Sequence, residues 1–331
     1  MKEIIIYNEL VTSIEKTIVS SKEEMFSILN NAMIETYWKV GKHIVDFEQK
    51  GNTKAEYGTQ LLRKLSKDLT VRLGKGFSHS NLSNMRKFYE YYPIFQTSGK
   101  LTWSHICEIL RLEDPLERNF YEKQVENEKW SVRTLQRQIK TSLFLRLATN
   151  KNKSEILELS HKGIQIATPE DIIKDTYTLE FLNLSENSKY TEGDVENKII
   201  DNLQHFLLEL GKGFTFVGRQ YAMVISGRHY YCDLVFYHRI LKCFVLIDLK
   251  IKPLQHEDIG QMNTYLGYFA LEENMEDDNP PIGIILTRNK DKLLVEYATY
   301  GLNTQLFVSK YELYLPNRDD LKKLVDNILN D

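Results

Sequence analysis

The chain has 331 residues, of which 42% are hydrophobic and 27% charged, and its formal net charge is −3. This composition is typical of a globular protein and excludes a disordered chain, and the length accommodates two domains. No stretch resembles a signal peptide or approaches the roughly 20 apolar residues of a membrane span, so we expect a cytoplasmic protein without a membrane partner. Because the chain is not basic overall, any nucleic-acid contact must depend on local positive charge.

The first half of the chain carries the periodicity of helices. Apolar side chains recur every three or four positions from residue 26 to 47, and Ser21 with Glu24 fits a capping box that starts this helix. Further helices are predicted over 61–73, 80–92, 103–112, 115–128 and 131–147. We therefore predict an all-α N-terminal domain over residues 1–150, followed by a connecting segment over 151–190.

Two of these helices, 61–73 and 80–92, are joined by a glycine-containing turn and resemble a helix-turn-helix unit. The second helix is expected to expose polar and cationic side chains suited to groove or phosphate contact. These candidates for nucleic-acid binding are Asn81, Asn84, Arg86 and Lys87. The alternative is a solvated helical face in a protein–protein module, since amphipathic helices with lysine and arginine outside are common.

From residue 191 the pattern changes to a mixture of helices and strands. Helices are predicted over 192–210, 254–271, 290–299 and 319–330, and strands over 214–226, 229–238, 243–251, 282–286 and 305–309. The order is a helix, a three-strand meander, a helix and a strand, with one more helix–strand pair and a last helix. This order indicates an α/β domain over 191–331 with a mixed sheet.

Charged residues interrupt two of these apolar strands: Asp233 in YYCDLVFYH, and Asp248 and Lys250 in CFVLIDLK. Burying an unpaired charge is costly, so each of them needs a partner or a function. Asp248 and Lys250 share one face, because residues two apart on a strand point to the same side. A hairpin that turns symmetrically between Ile240 and Leu241 sets Asp233 opposite Asp248, with Cβ atoms about 5 Å apart.

Two carboxylates this close repel each other unless one is protonated or a cation lies between them. Oxygen ligands suit Mg²⁺ or Mn²⁺, which can activate water for phosphodiester hydrolysis while Lys250 orients that water or neutralises the phosphate. Glu196 lies on the apolar stripe of helix 192–210 and is a third candidate metal ligand beside Asp233 and Asp248. The alternatives are a structural ion-pair cluster and, for Glu196, an ordinary surface acid.

The spacing D-x14-D-L-K resembles the PD-(D/E)XK nuclease motif, with Asp233 and Asp248 as its acids and Lys250 as its lysine. A helix-borne glutamate often precedes the motif in this superfamily, and Glu196 matches it. The predicted order of elements is similar to the αβββαβ core of the superfamily. The resemblance therefore implies a restriction-endonuclease-like fold.

Other stretches extend the resemblance. Gln261 and Tyr265 are similar to the QxxxY element of RecB-like members and are candidate catalytic residues; the alternative is an ordinary helical role. The stretches ELGKGFTFVGRQY (209–221) and WSVRTLQRQI (130–139) resemble the bacterial YhcG family, which joins such a nuclease domain to a helical N-terminal domain. Two departures are that Asp248 replaces the usual glutamate and that Cys232, not proline, precedes the first acid.

The resemblance implies a magnesium-dependent hydrolase that cleaves DNA, endonucleolytically, in DNA processing or defence. The alternatives are a catalytically inactive DNA-binding or scaffold protein and a nuclease directed at RNA. Arg219 and Gln220 are further candidates for contact with phosphate or with a site carboxylate, and a structural role in their strand is equally consistent with the sequence. A homo-oligomer is left open, because cutting two strands with one site per chain suggests two copies.

Overall fold

The computed structural model describes residues 2–49, 55–95, 100–184, 190–289, 291–301 and 305–330. The chain divides into two compact units, Met1–Gln136 and Arg137–Asp331. The sequence placed this division near residue 150. The structure places it earlier because the guanidinium groups of Arg137 and Arg146 lie 3.4 and 2.8 Å from the buried carboxylate of Glu209, which belongs to the second unit.

The first unit is helical, as predicted. Its helices are α1 (Lys2–Gln49), α2 (Ala55–Leu73), α3 (His79–Tyr91), α4 (Trp103–Ile109) and α5 (Pro115–Glu128), and α6 (Val132–Lys140) contains the division. Helices α1 and α3 cross at Gly41, where an added Cβ would lie 2.0 Å from the carbonyl oxygen of Met85. Only glycine permits this close approach of the two backbones. The core beside the crossing is formed by Ile44, Leu62, Leu82 and Met85.

Helix α1 differs from its prediction in where it starts. The capping box at Ser21 and Glu24 is wrong as a helix start, because α1 runs without a break from Lys2 to Gln49. No proline or glycine occurs before Gly41, so nothing in the sequence interrupts the helix. The predicted apolar face also divides: Ile44 is buried, whereas Phe26 is 72% exposed.

The second unit has the predicted mixture of helices and strands. Its helices are α7 (Leu143–Ala148), α8 (Lys153–Lys162), α9 (Glu192–Asp201), α10 (Leu203–Leu210), α11 (His256–Tyr268), α12 (Lys292–Thr299) and α13 (Arg318–Asn330). Its strands are β1 (Thr176–Thr178), β2 (Phe214–Ile225), β3 (Arg228–His238), β4 (Cys243–Lys250), β5 (Ile282–Thr287) and β6 (Gln305–Glu312).

Three details of this unit differ from the prediction. Helix 192–210 is two helices that meet at Asn202, and helix 131–147 is interrupted at Ser142, whose φ is +52°. Part of the segment expected to be a connection forms β1, which pairs in parallel with β6. Residue 290, where one helix was predicted to start, lies outside the described residues.

The six strands form one mixed sheet in the order β1-β6-β5-β4-β3-β2. Strands β2, β3 and β4 are antiparallel neighbours, and β4, β5 and β6 are parallel ones. Helices α9 and α10 cover the face that carries Leu234 and Ile247, and α11 covers the face that carries Val235 and Leu246. Across the described part of the chain, no helix combines the length and apolar character that crossing a membrane requires.

Candidate active site

The β3–β4 hairpin sets the relative positions of the two acids. Its register runs from His238 opposite Cys243 to Leu234 opposite Ile247. This symmetric pairing about residues 240 and 241 confirms the predicted register. The next positions in the same register are Asp233 and Asp248, at the end of the paired segment.

Asp233 takes part in the sheet through its side chain. Its Oδ2 accepts a hydrogen bond of 2.7 Å from the backbone N–H of Leu249, so the carboxylate ties β3 to β4 beyond the last backbone pair. Its Oδ1 accepts a second hydrogen bond, of 3.0 Å, from Gln220 Nε2. Burial raises the pKa of Asp233, although the Leu249 N–H and the Lys250 charge oppose that rise. The carboxylate is therefore held in one orientation between two strands.

Asp248 and Lys250 lie side by side on the α11 face of β4. Asp248 is only 3% exposed, and its Oδ2 lies 2.7 Å from Lys250 Nζ. Burial and the negative charge of Asp233 raise the pKa of Asp248 to about 7. Burial lowers the pKa of Lys250, but the charges of Asp248 and Asp258 outweigh it and raise the pKa overall. Asp258 Oδ1 lies 3.8 Å from Lys250 Nζ, so the ammonium lies between two acids.

Glu196, on helix α9, lies near Asp233, and Gln220 connects the two carboxylates. Gln220 Nε2 donates to Glu196 Oε2 at 2.8 Å as well as to Asp233 Oδ1. Gln220 has a φ of +45°, a left-handed conformation that is uncommon for a residue other than glycine. It faces Asp233 in the register of β2 and β3, between the pairs Arg219–Leu234 and Tyr221–Cys232. The sequence offered Gln220 as a phosphate or carboxylate contact, and the structure shows the contact with two carboxylates.

Tyr265 and Gln261 lie on α11, beneath β3. The hydroxyl of the buried Tyr265 donates to the carbonyl oxygen of Tyr231 at 3.0 Å, two residues before Asp233. Gln261 is half-buried and hydrogen-bonds to Tyr265. Burial, followed by the nearby charge of Asp248, raises the pKa of Tyr265. This pair thus supports the strand that carries the first acid.

Arg219 lies at the exposed rim of the cluster. Its Nη1 donates to Asn197 Oδ1 at 3.2 Å, and its Nε lies 3.7 Å from Glu196 Oε1. Its side chain is 47% exposed, so the guanidinium remains accessible to a ligand.

A divalent cation such as Mg²⁺ requires several oxygen donors that converge on one point. Within the described residues, no group of three or more His, Cys, Asp and Glu side chains converges as a ready cation site. Glu196 Oε1 is nevertheless buried and has no hydrogen-bond partner among the described atoms. Burial raises the pKa of Glu196, and the charge of Asp233 raises it further. Acidic oxygens that repel one another and remain unsatisfied are consistent with a hard cation such as Mg²⁺ or Mn²⁺.

The candidate nucleic-acid residues of the first unit lie together on α3, but three of the four are engaged within that unit. Asn81 donates to the carbonyl oxygen of Gly76 and accepts from Trp103 Nε1. Asn84 hydrogen-bonds to Cys107, and Arg86 forms ion pairs of 2.7 and 3.1 Å with Glu48 and Glu90. Of the four candidates, Lys87 is exposed. The expectation that α3 exposes both asparagines is wrong, because their amides connect α3 to neighbouring segments.

The fold and the sequence comparisons agree on the class of protein. Residues 170–326 match the YhcG PDDEXK nuclease domain, and residues 13–146 match the DUF1016 N-terminal domain. The mixed sheet with its αβββαβ order is therefore a restriction-endonuclease-like PDDEXK nuclease fold, preceded by an all-helical region.

The chain belongs to the YhcG family. It is 36% identical over 356 residues to the Escherichia coli (strain K12) protein named "Putative nuclease YhcG", an alignment that covers 98% of this chain and 94% of that protein. A repair endonuclease from Pyrococcus abyssi is also similar, with 19% identity over 39% of this chain and 50% of that one and a TM-score of 0.28. The apo form of EndoMS shows 14% identity over 40% of this chain and 49% of that one, with a TM-score of 0.25.

Proposed function

We propose that the protein is a divalent-metal-dependent nuclease that hydrolyses DNA phosphodiester bonds endonucleolytically, in DNA processing or defence. The observation that supports this proposal most is the arrangement at the end of β4. There the buried Asp248 has a pKa of about 7, with Asp233 beside it and Lys250 Nζ 2.7 Å away. Buried acids with strongly raised pKa values cluster at active sites. Membership of a nuclease family supports the same reaction class.

In this proposal Asp233, Asp248 and Glu196 hold Mg²⁺ or Mn²⁺. When bound, such a cation supplies positive charge that stabilises the charge developing on the scissile phosphate and acidifies water. The protein supplies the positions of the ligands: the Leu249 N–H and Gln220 fix Asp233, and Gln220 also fixes Glu196. The acids are thereby oriented before substrate arrives, which reduces the reorganisation needed during the reaction.

Lys250 acts on the attacking water and on the phosphate. Its ammonium is the cation of the cluster that lies closest to Asp248, and Asp258 holds it from the other side at 3.8 Å. From that position it orients the water by hydrogen bonding and offsets the phosphate charge. Tyr265 and Gln261 act as positioning residues, because the Tyr265 hydroxyl holds the Tyr231 carbonyl two residues from Asp233.

The substrate is contacted at the rim and by the N-terminal domain. Arg219 is exposed beside Glu196 and is suited to contact a backbone phosphate. For the helical N-terminal domain we propose DNA or partner binding, in which the exposed Lys87 takes part. The half-buried Asn81, Asn84 and Arg86 support the surface that presents this lysine.

Cleavage of nucleic acid by the purified full-length chain tests this function. Circular plasmid, linear duplex, single-stranded DNA and RNA are each incubated with Mg²⁺, with Mn²⁺ or with a chelator. We expect nicking or linearisation of the circular plasmid only when a divalent ion is present. Loss of linear DNA with intact circles contradicts the endonucleolytic mode, and preferential loss of RNA contradicts the DNA substrate.

Matched variants separate the site from the rest of the surface. Asp233→Asn and Lys250→Met are compared with Asp201→Asn and Lys323→Met, which make the same chemical changes on exposed helical positions. The first pair is expected to abolish cutting and the second to leave it unchanged. Equal activity in all four variants shows that the site is assigned wrongly. DNA binding without calorimetric Mn²⁺ binding would instead establish a non-catalytic scaffold.

A further inference from the structure

The N-terminal part of α1 presents an apolar surface to solvent. Every residue from 7 to 29 is exposed, although many of them are large and hydrophobic. Along the described side chains of α1, the first hydrogen bond to another segment is at Asn30, whose Nδ2 donates to the carbonyl oxygen of Leu101 at 2.7 Å. An exposed apolar surface of this extent marks an interaction site. It also makes an isolated helix marginal in water, since helices gain most of their stability from packing.

The apolar residues of this segment follow a seven-residue repeat. In heptad notation the a and d positions are Tyr7, Val11, Ile14, Ile18, Ser21, Met25 and Ile28. All but Ser21 are apolar, and these six are 44–66% exposed. The other positions repeat with the same period. Serine occupies every c position, at 13, 20 and 27, and a charged residue occupies every f position, at 9, 16 and 23. A sustained repeat of seven, with β-branched residues along the stripe, is the pattern of a left-handed coiled coil.

The flanking charges indicate which partner this stripe fits. The e positions carry Glu15 and Lys22. In a parallel pair each e position faces a g position five residues earlier, which is Leu10 or Thr17, so no ion pair forms. In an antiparallel pair that places Ile18 against Ser21 of a second copy, Glu15 faces Lys22 of that copy, and the reverse contact forms by symmetry. The helix is therefore complementary to itself in the antiparallel direction.

We propose that residues 7–29 pair with the same residues of a second copy of this chain, as an antiparallel two-stranded coiled coil. The segment is about 35 Å long at 1.5 Å per residue, enough for three heptads in contact. Pairing buries the exposed a and d side chains of this stripe, while Val19 and Phe26, at b positions, stay outside the seam. The flanking charges select the register, because a shift of one heptad places Glu15 against Glu15 or Lys22 against Lys22 of the second copy. Pairing through α1 uses none of the residues of the candidate active site.

The mass of the full-length chain in solution tests the pairing. Light scattering after size exclusion is expected to give twice the 38.9 kDa chain mass at tens of micromolar protein. The double variant Ile14→Asp/Ile18→Asp is expected to be monomeric, because four carboxylates would meet in the apolar seam. The double variant Ser13→Asp/Ser20→Asp adds the same charges at c positions and is expected to remain dimeric.

The altered side chains are exposed, so both double variants should fold, and circular dichroism measures whether they keep the helical content of the native chain. If the native chain is monomeric in solution, the pairing is wrong. It is also wrong if this face binds a different protein and the chain does not pair with itself. A dimer that survives Ile14→Asp/Ile18→Asp overturns it as well, because the seam would then lie elsewhere.

Disulfide trapping tests the direction. Two differently tagged chains, one with Ile18→Cys and one with Ser21→Cys, are co-expressed and then oxidised. An antiparallel pair gives the mixed cross-link, whereas neither variant cross-links to itself. The native chain is the blank, because Cys232 and Cys243 are buried and Cys107 is half-buried. Efficient self-cross-linking of the Ser21→Cys chain alone overturns the antiparallel arrangement, since it requires parallel helices.

Discussion

Glu209 and Asp248 are both buried carboxylates of the second unit, with exposed fractions of 0% and 3%, and their surroundings differ widely. Burial raises the pKa of Glu209, but Arg146, Lys174 and Arg137 outweigh it and lower the pKa to about 2. Burial also raises the pKa of Asp248, and the negative charge of Asp233 raises it further, to about 7. Glu209 is surrounded by cations. Asp248 has one close ammonium, that of Lys250, which Asp258 also contacts.

This difference separates a charge that stabilises the fold from one that is available for chemistry. Glu209 also accepts the backbone N–H of Thr178 at 3.0 Å, so its oxygens are engaged on several sides. Asp248 has a close contact of 2.7 Å with Lys250 and lies beside Asp233, an arrangement that a cation or a proton stabilises. Buried charges are stable when paired, and an incompletely compensated acid pair is a marker of function.

Substitutions of Asp248 and Glu209 should differ most in their effect on the rate of DNA cleavage. Asp248→Asn should lower the rate of DNA cleavage by about 100- to 1,000-fold, which is the usual effect of losing one electrostatic catalytic group. Its thermal stability, measured in a chelator at neutral pH, should be equal to or above that of the native chain, because one of two repelling buried acids is removed. Retained cleavage activity would show that Asp248 has no part in the reaction.

Glu209→Gln should have the opposite outcome. Removing one partner of a buried ion cluster leaves the cations uncompensated, at a cost of about 3–5 kcal/mol in the free energy of unfolding. Activity per folded molecule should stay unchanged. The control is Glu158→Gln, which removes a surface ion pair with Lys162 and should leave the stability of the unit unchanged. Equal unfolding curves for the two variants contradict a stabilising role for Glu209.

The unit that Glu209→Gln destabilises can be identified by following the two units separately. The chain has three tryptophans, Trp38, Trp103 and Trp130, and all lie in the first unit, so their fluorescence follows that unit. Amide hydrogen exchange on peptides from residues 137–331 follows the second unit. The loss caused by Glu209→Gln should appear as faster exchange in the second set of peptides.

Lowering the pH should remove the contribution that ionised Glu209 makes to the free energy of unfolding. The folded pKa of Glu209, about 2, is below its ordinary value of 4.5. The stabilisation is therefore complete above the unfolded pKa and is lost as the pH falls from about 4.5 towards 2, with a total of about 3 kcal/mol. Between pH 5.5 and 3, the unfolding free energy of the native chain should fall more steeply than that of Glu209→Gln. Parallel curves would show that Glu209 keeps an ordinary acidity in the folded state.

The hairpin that carries the acids could be predicted from the sequence because its register depends on local patterns. Apolar runs flank residues 240 and 241 symmetrically, and the structure has this register, from His238–Cys243 to Leu234–Ile247. A charge inside an apolar strand is also visible in the sequence, since burial demands compensation. These local signals were enough to place Asp233 and Asp248 at adjacent positions.

Contacts between distant segments could not be predicted in the same way. Arg137 and Arg146 lie more than 60 residues from Glu209, and no periodic pattern links them, so the sequence pattern could not show that these arginines pack with the second unit. The engagement of Asn81 and Asn84 depends on partners from other helices. The left-handed backbone of Gln220 has no sequence signal either, because such a φ usually indicates glycine or asparagine.

Substitution of Gln220 should have the smallest effect of these changes, and it tests whether the amide positions the two carboxylates. Gln220→Gly relieves the left-handed backbone but removes the amide that joins Glu196 to Asp233. We expect cleavage or metal affinity to fall by about 10- to 100-fold, the usual effect of losing a group that orients a ligand. The change in stability should be small, because relief of the left-handed φ offsets the entropic cost of glycine and the loss of two hydrogen bonds.

The matched control for Gln220→Gly is Ser226→Gly, since Ser226 also has a positive φ, +48°, but lies in the exposed turn between β2 and β3. It relieves the same kind of backbone strain away from the acids and should leave activity unchanged. Titrating cleavage with Mn²⁺ distinguishes positioning from general disruption. A positioning role moves the half-maximal Mn²⁺ concentration upward and lets the rate recover at high Mn²⁺. Native Mn²⁺ dependence in Gln220→Gly would show that the two carboxylates keep their geometry without the amide, and that the bridge seen here is incidental to metal binding.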